Sequence, residues 1–510
     1  MAYCGVPTLT CVIMLLLLAA LYAEVSSSID DNGVLESEHI NKRSVGDAGT
    51  LNAISRGLPG RNTNRGQTRT RRPPTSNNIT RGPRTRPGSG SQVNARRPRP
   101  ESGRRPRPES NNDGLPAGVN RQMLRRAAKI HNASTPFAAR LFQIVANRPL
   151  SNIVISPLSV HTALTMTMLG AKGKTEKEMF ATLGFKAAGL RNKMSHQAYK
   201  ALLASLQNVN IKIKLSTANA VYVKPSIPLE NSFRQGLVQW YNASFDSFQL
   251  DHPRGPENPI NSWVSNVTSN KIQNLLPAGS ITPLTALVLI NAIYFKAPWA
   301  KPFTGVTRPG EFRSLADGVQ MIDTMTTVNT YRYADHHNTE VIELLYEGDR
   351  LAMYILLPNA SSNITSLQQK LTNSGRPGHN TIDPFFENLR PEYLRLFLPK
   401  FKIDNNAVNL NEPLKEMGIV EAFNDKKANF TGISSRGDLY INSVLHKAFI
   451  DVNENGTEAA AATAVIIGIR SALPRQTREV KVDRPFMFVI RDNVLKEILF
   501  LGAFVSSGQQ

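Results

Sequence analysis

From about residue 121 to the end, apolar residues recur at spacings that secondary structure explains; before that point they do not. PFAARLFQIVANR (136–148) repeats its apolar residues at three- and four-residue intervals, which predicts a helix with one buried face. ANAVYV (218–223), LVLINAIYF (287–295), LAMYILL (351–357), YLRLFLP (393–399) and PFMFVI (485–490) are short apolar runs that predict strands. Helices early, several strands after them and a strand pair at the C-terminus predict one α+β domain over 121–510, with no proline- or glycine-rich break inside it.

The start of the chain follows other rules. CVIMLLLLAA (11–20) has the length of a signal-peptide core and ends in Leu21-Tyr22-Ala23, so residues 1–23 are expected to be a cleaved signal peptide; a retained anchor is the alternative. The expectation is a secreted, extracellular protein without stable membrane insertion. Both cysteines, Cys4 and Cys11, fall inside that segment, which leaves the mature chain without a disulfide or a thiolate metal site. A secreted domain without disulfides relies on its apolar core, and that favours a large domain.

Residues 24–120 are rich in Arg, Pro, Gly, Asn, Ser and Thr and nearly free of aromatic residues, so they are expected to be a disordered arm. RRPRPES occurs at 96–102 and again at 104–110, a low-complexity repeat. Between Arg56 and Arg107 there are fifteen arginines, no lysine and one acidic residue, Glu101; that segment carries +14 of the formal +21. The basic balance therefore belongs to the arm. Guanidinium groups suit sulfate and phosphate oxygens, which makes Arg96, Arg97, Arg99, Arg104, Arg105 and Arg107 candidates for a heparin-like sulfated polysaccharide, with Arg121, Arg125, Arg126 and Lys129 alongside. A solvated spacer is the competing reading. Nucleic acid is not expected, because no aromatic residues interleave with the arginines for base stacking.

Enzyme signatures do not emerge. There is no Gly-x-Ser-x-Gly, no His-Glu-x-x-His and no dinucleotide glycine motif after a strand. GAKGKT (170–175) imitates a phosphate loop, but Met168 stands where its first glycine belongs. The nine histidines lack metal-ligand spacing, so neither a metal nor another cofactor is expected.

Several passages, in order across the last 390 or so residues, carry a resemblance. They are NIVISPLSVHTALTMTMLGAKGKTEKEM (152–179), NAIYFKAPW (291–299), LPKFKI (398–403), LKEMGIVEAFNDKKANFTGIS (414–434), HKAFIDVNENGTEAAAATAV (446–465) and DRPFMFVI…ILFLGAFV (483–505). On these the chain is identified as a member of the serpin family. Ala297 stands where the family usually has glycine, and the terminus FVSSGQQ lacks the usual proline. The resemblance implies a serpin fold: a large central mixed sheet, two smaller sheets, about nine helices and an exposed reactive loop at about 454–480. It also implies an inhibitor, not an enzyme.

The loop carries the functional expectation. The hinge, Glu454 with Gly456, Thr457, Glu458, Ala459, Ala460, Ala461, Ala462 and Thr463, is small at nearly every position. As a strand it would place Thr457, Ala459, Ala461 and Thr463 inward and leave Glu458 outward in water. By propensity alone the alanine run is a helix. Counting from Glu454 to Arg470 gives seventeen residues, the family spacing to the residue before the cut, and small Ser471 follows. The reactive bond is therefore expected at Arg470–Ser471, with Arg475–Gln476 and Arg478–Glu479 as poorer sites. Arginine there suits the aspartate-bearing pocket of trypsin-like serine proteases, which would be held in a covalent complex. The cascades in view are clotting, melanisation and innate immunity, and the inhibitor is expected as a monomer. A non-inhibitory carrier and a matrix-binding module anchored by the arm are the alternatives.

By position the resemblance gives Ser156, Ser159, Asn291 and His446 as a polar cluster beneath the strands that open. It gives Trp299, Lys400 and Glu454 as the point where the loop enters, with Lys400 and Glu454 as a possible ion pair. Glycosylation sequons stand at Asn132, Asn242, Asn266, Asn359, Asn363 and Asn429, and at Asn78 in the arm. One more, Asn455, lies on the hinge and is expected to be empty, since a glycan there would impede insertion.

Overall fold

The computed structural model describes residues 121–146, 150–207, 212–372, 380–404, 406–458 and 477–508. The signal-like segment, the arm with its six candidate arginines, hinge residues 459–463 and the Arg470–Ser471 bond lie outside the described residues.

The first helix, α1 (Arg121–Val145), begins well before the sequence pattern suggested. That pattern rests on the apolar spacing of 136–148 alone. Upstream, Ala127, Ile130 and Ala133 continue the buried face, and the flanking Arg, Gln, Leu and Lys residues favour helix, so the chain carries the helix through the proline. Helix α2 (Pro157–Met168) is buried along its whole length, with Ser156 as its N-cap. Next come α3 (Gly173–Thr182), α4 (Asn192–Gln207), α5 (Asn231–Tyr241) and α6 (Glu257–Val267), then α7 (Ile364–Thr372) and α8 (Asn411–Met417). Gly170, Ala171 and Lys172 form the turn into α3, and Gly173, Lys174 and Thr175 are its first residues. Gly170 is there because a Cβ would lie 2.2 Å from Ile433, a packing reason and not a phosphate cradle.

One sheet has nine strands, ordered β1 (Ile153–Ile155), β16 (Ile498–Phe504), β15 (Phe486–Asp492), β8 (Leu351–Pro358), β7 (Thr339–Leu345), β6 (Val319–His336), β9 (Arg390–Pro399) and β14 (Arg478–Lys481), with β5 (Arg308–Arg313) also on β6. Two smaller sheets were expected. They run together here because β6 is 18 residues long and pairs β5 and β9 along its course and β7 at its end.

The second sheet has seven strands and is mixed: β10 (Phe401–Asp404), β12 (Ile441–Asn453), β13 (Gly456–Thr457), β4 (Leu287–Pro298), β2 (Lys214–Val223) and β3 (Ser244–Ser247), with β11 (Val408–Asn409) on β12. Strand β4 is buried at almost every residue, so both of its faces are covered. Helix α2 packs beneath it. On the other face Ile260 and Val264 of α6 join Tyr222, Tyr294 and Phe449 in a second apolar cluster.

Candidate functional site

β12 and β4 run parallel and directly paired from Ile441 opposite Leu287 to Phe449 opposite Tyr294. Beyond that rung they part, and the chain turns back through Glu454 and Asn455 to send β13 between them. Thr457 is antiparallel both to Val452 of β12 and to Ala297 of β4. Gly456 has φ 153°, and a Cβ there would lie 2.2 Å from the Ala297 carbonyl oxygen, so backbone approaches backbone too closely for any side chain. Thr457 is fully buried, and its hydroxyl shares a 2.7 Å hydrogen bond with that of buried Tyr346. The hinge's first two residues are thus already a strand at the mouth of a fork.

Trp299 stacks on Tyr346 with ring centroids 4.6 Å apart and donates its indole N–H to the Asn453 carbonyl. Its backbone N–H bonds to Asn455 O, and that of Phe303 to Glu454 O, which fixes the turn. The Lys400 ammonium lies 3.3 Å from Glu454 Oε1, which also accepts from the Thr307 hydroxyl at 2.6 Å. Partial burial opposes ionisation of Glu454, but Thr307 and Lys400 outweigh it and hold the pKa below the ordinary carboxylate value.

Beneath the paired part of the fork lies a buried polar row. Asn219 of β2 stands opposite Asn291 of β4, and Asn291 opposite His446 of β12, so three adjacent strands place polar side chains side by side. Asn291 Nδ2 donates to Asn219 Oδ1 at 2.7 Å and to Ser159 Oγ at 2.5 Å. The Ser156 backbone N–H donates to His446 Nε2 at 3.0 Å, so the imidazole proton sits on Nδ1 and is donated to Asn291 Oδ1 at 2.5 Å. Burial lowers the His446 pKa to about 4, and the bond to Asn291 only partly opposes that. Ser156, Ser159, Asn291 and His446 therefore meet in one cluster. Asn219 belongs to it as well, and the sequence reading missed it.

Glu458 differs from expectation. It is not in water: its side chain is 13% exposed, its Oε1 lies 2.5 Å from Lys271 Nζ, and its Oε2 is buried without a hydrogen-bond partner among the described residues. The face opposite Thr457 is covered because α6 and the turn after it lie over the sheet. Glu458 also takes φ 50°, in the left-handed region.

Mechanically the fork accepts a strand. Each further hinge residue entering it would exchange parallel contact between β12 and β4 for antiparallel ladders on both sides, adding backbone hydrogen bonds. Thr477 leads into β14, which pairs with β9. Elsewhere, Asn132, Asn242, Asn266 and Asn363 are exposed, whereas Asn359 and Asn429 are half-buried. Asn359 already donates to Asp335 at 2.9 Å. Arg121, Arg125, Arg126 and Lys129 are exposed on α1.

A family profile described as Serpin (serine protease inhibitor) matches residues 132–507. A leukocyte elastase inhibitor of Bos taurus is 35% identical over 390 residues, which is 73% of this chain and 98% of that protein. Among solved structures, Serpin48 of the insect Tenebrio molitor aligns at TM-score 0.64 with 31% identity, covering 74% of this chain and 98% of its own. Human thyroxine-binding globulin complexed with thyroxine aligns at TM-score 0.66 with 26% identity, over 75% of this chain and 99% of its own.

Proposed function

Because the chain belongs to the serpin family, whose members are protease inhibitors and not enzymes, we propose that it is a secreted suicide inhibitor of trypsin-like serine proteases, cut at Arg470–Ser471. The observation that carries the reading is the hinge. Gly456 and Thr457 already occupy the fork between β12 and β4, and after Glu458 the sequence is alanine from Ala459 to Ala462, up to Thr463.

In this reading the protease serine attacks the Arg470 carbonyl carbon. The bond to Ser471 nitrogen breaks, the protease's histidine protonates the leaving amine, and an acyl-enzyme remains. The freed loop continues the strand that Thr457 begins and carries the acylated protease away from its loading position before water can cleave the ester. The driving force is a native fold that is kinetically stable and gains a strand on insertion. The apolar run at 11–20 supports secretion, and an arginine at the cut supports a clotting, melanisation or immune protease as target. The arginine-rich arm supports a heparin-like polysaccharide as a second partner.

Mixing the purified protein with trypsin and running a denaturing gel tests the reading. A covalent high-mass band that Arg470→Ala abolishes is expected. Clean cleavage at Arg470 without that band would instead favour a carrier, the reading that the likeness to thyroxine-binding globulin suggests.

A further inference from the structure

Glu458 is the one charged residue in the run Gly456–Thr463, and it sits where the strands of the fork separate. Its backbone N–H donates to Asp451 O at 2.7 Å, so it continues the ladder that Thr457 begins, with its own φ at 50°. Its carboxylate points to the α6 side, where Asp451 and Phe449 of β12, Tyr294 of β4, and Lys402 and Lys400 on and before β10 are gathered. Burial and then the Glu458 charge raise the pKa of Asp451, while Lys402, Lys271 and Lys400 act the other way. Two carboxylates thus share a poorly hydrated site.

The lysines divide the work. Lys400 is held by Glu454, and Lys402 stands opposite Asp451 on the neighbouring strand with its ammonium over the Phe449 ring. Among the described residues, only Lys271 forms an ion pair with Glu458. Its place is set by the end of α6, where Ser269 and Asn270 both take positive φ and the Lys271 N–H bonds to Thr268 O. The same ammonium lies 5.8 Å from the centroid of Phe449, the residue of the first directly paired rung below the hinge.

We infer that Lys271 is a positioning residue for loop insertion: by neutralising Glu458 it holds the hinge docked in the fork, so that insertion starts from a rung already formed. The inference rests on the loop-insertion reading above for its functional consequence, but the docked hinge can be read without any protease. With Lys271 removed, Glu458 keeps one oxygen unpartnered, loses the charge on the other and faces Asp451. Water is then the better place for it. Withdrawal of Glu458 pulls Gly456 and Thr457 off the ladder.

The test is hydrogen exchange at the Thr457 and Glu458 amides in the full chain, with the stoichiometry of trypsin inhibition measured beside it. Lys271→Ala should speed exchange at these amides about fivefold, the size expected for a partly screened charge pair, and leave the β15–β16 amides protected. Lys271→Arg should keep the protection. Lys271→Ala combined with Glu458→Gln should restore it, because no buried charge remains to be expelled. Where the wild type traps trypsin, Lys271→Ala should raise the stoichiometry, as more acyl-enzyme is hydrolysed before insertion begins. Unchanged hinge exchange in Lys271→Ala, or a double variant as unprotected as the single, would overturn the inference. Absence of a covalent complex in the wild type would remove the inhibitor reading and leave the exchange result standing.

Discussion

Replacing Thr457 with arginine tests the proposed mechanism at its first step. Thr457 is fully buried, its hydroxyl is bonded to Tyr346, and it is flanked by Val452 and Ala297 in the ladder. A guanidinium in that place would lose the hydrogen bond, worth about 1 kcal/mol. It would also overpack the space shared with Tyr346, Val452 and Ala297 and bury a charge, which costs several kcal/mol more. The variant escapes that cost by keeping its hinge out, so insertion must begin without the docked rung. Even about 3 kcal/mol added to the insertion barrier slows it by about two powers of ten. Acylation is untouched, because Arg470 lies thirteen positions further on. The acyl-enzyme then has one fast exit left, hydrolysis. A titration of trypsin activity should show the stoichiometry rising until the protein is a substrate, and the gel should show cleaved chain in place of the high-mass band. Thr457→Val, which keeps the shape and loses only the Tyr346 bond, should remain an inhibitor. An arginine variant that traps trypsin at wild-type stoichiometry would refute the argument that the fork receives the loop at this position.

Other consequences follow from the buried titratable groups. Glu497 is fully buried, accepts a hydrogen bond from Ser134, keeps Oε1 without a partner among the described residues, and burial raises its pKa to about 8. The folded state therefore holds a proton that the unfolded state releases near its ordinary pKa, and stability falls as pH rises between the two, by about 3 kcal/mol up to pH 7; urea midpoints of Glu497→Gln should lack that fall, and parallel pH profiles for variant and wild type would refute the assignment. His446 works in the opposite direction: burial lowers its pKa to about 4, so its contribution is intact above about pH 6.5 and is lost as pH falls toward 4. His446→Ala should flatten that acid limb and, by leaving the Ser156 N–H and Asn291 Oδ1 unpaired, lower stability at pH 7 by roughly 2–4 kcal/mol in the same urea measurement.

The strands that matter most were legible because both of their faces are buried. LVLINAIYF is apolar almost throughout, and only a strand covered by helices on either side needs that. The polar cluster was legible only in part. Resemblance supplied Ser156, Ser159, Asn291 and His446, but Asn219 sits in an ordinary short apolar run and joins them through its register opposite Asn291. Lys271 was invisible for a similar reason, since a turn after α6 brings it to a hinge far along the chain. Glu458 was misread from a correct rule applied to the wrong surroundings. Alternation sends every second side chain to the other face, but that face is water only when the sheet is half-exposed, and here α6 covers it. A strand entering this fork is enclosed on both sides and must be small at every position, not at every second one. That requirement accounts for the unbroken alanines after Glu458 better than alternation does. It also explains why the single charged residue among them needs a counterion waiting at the end of α6.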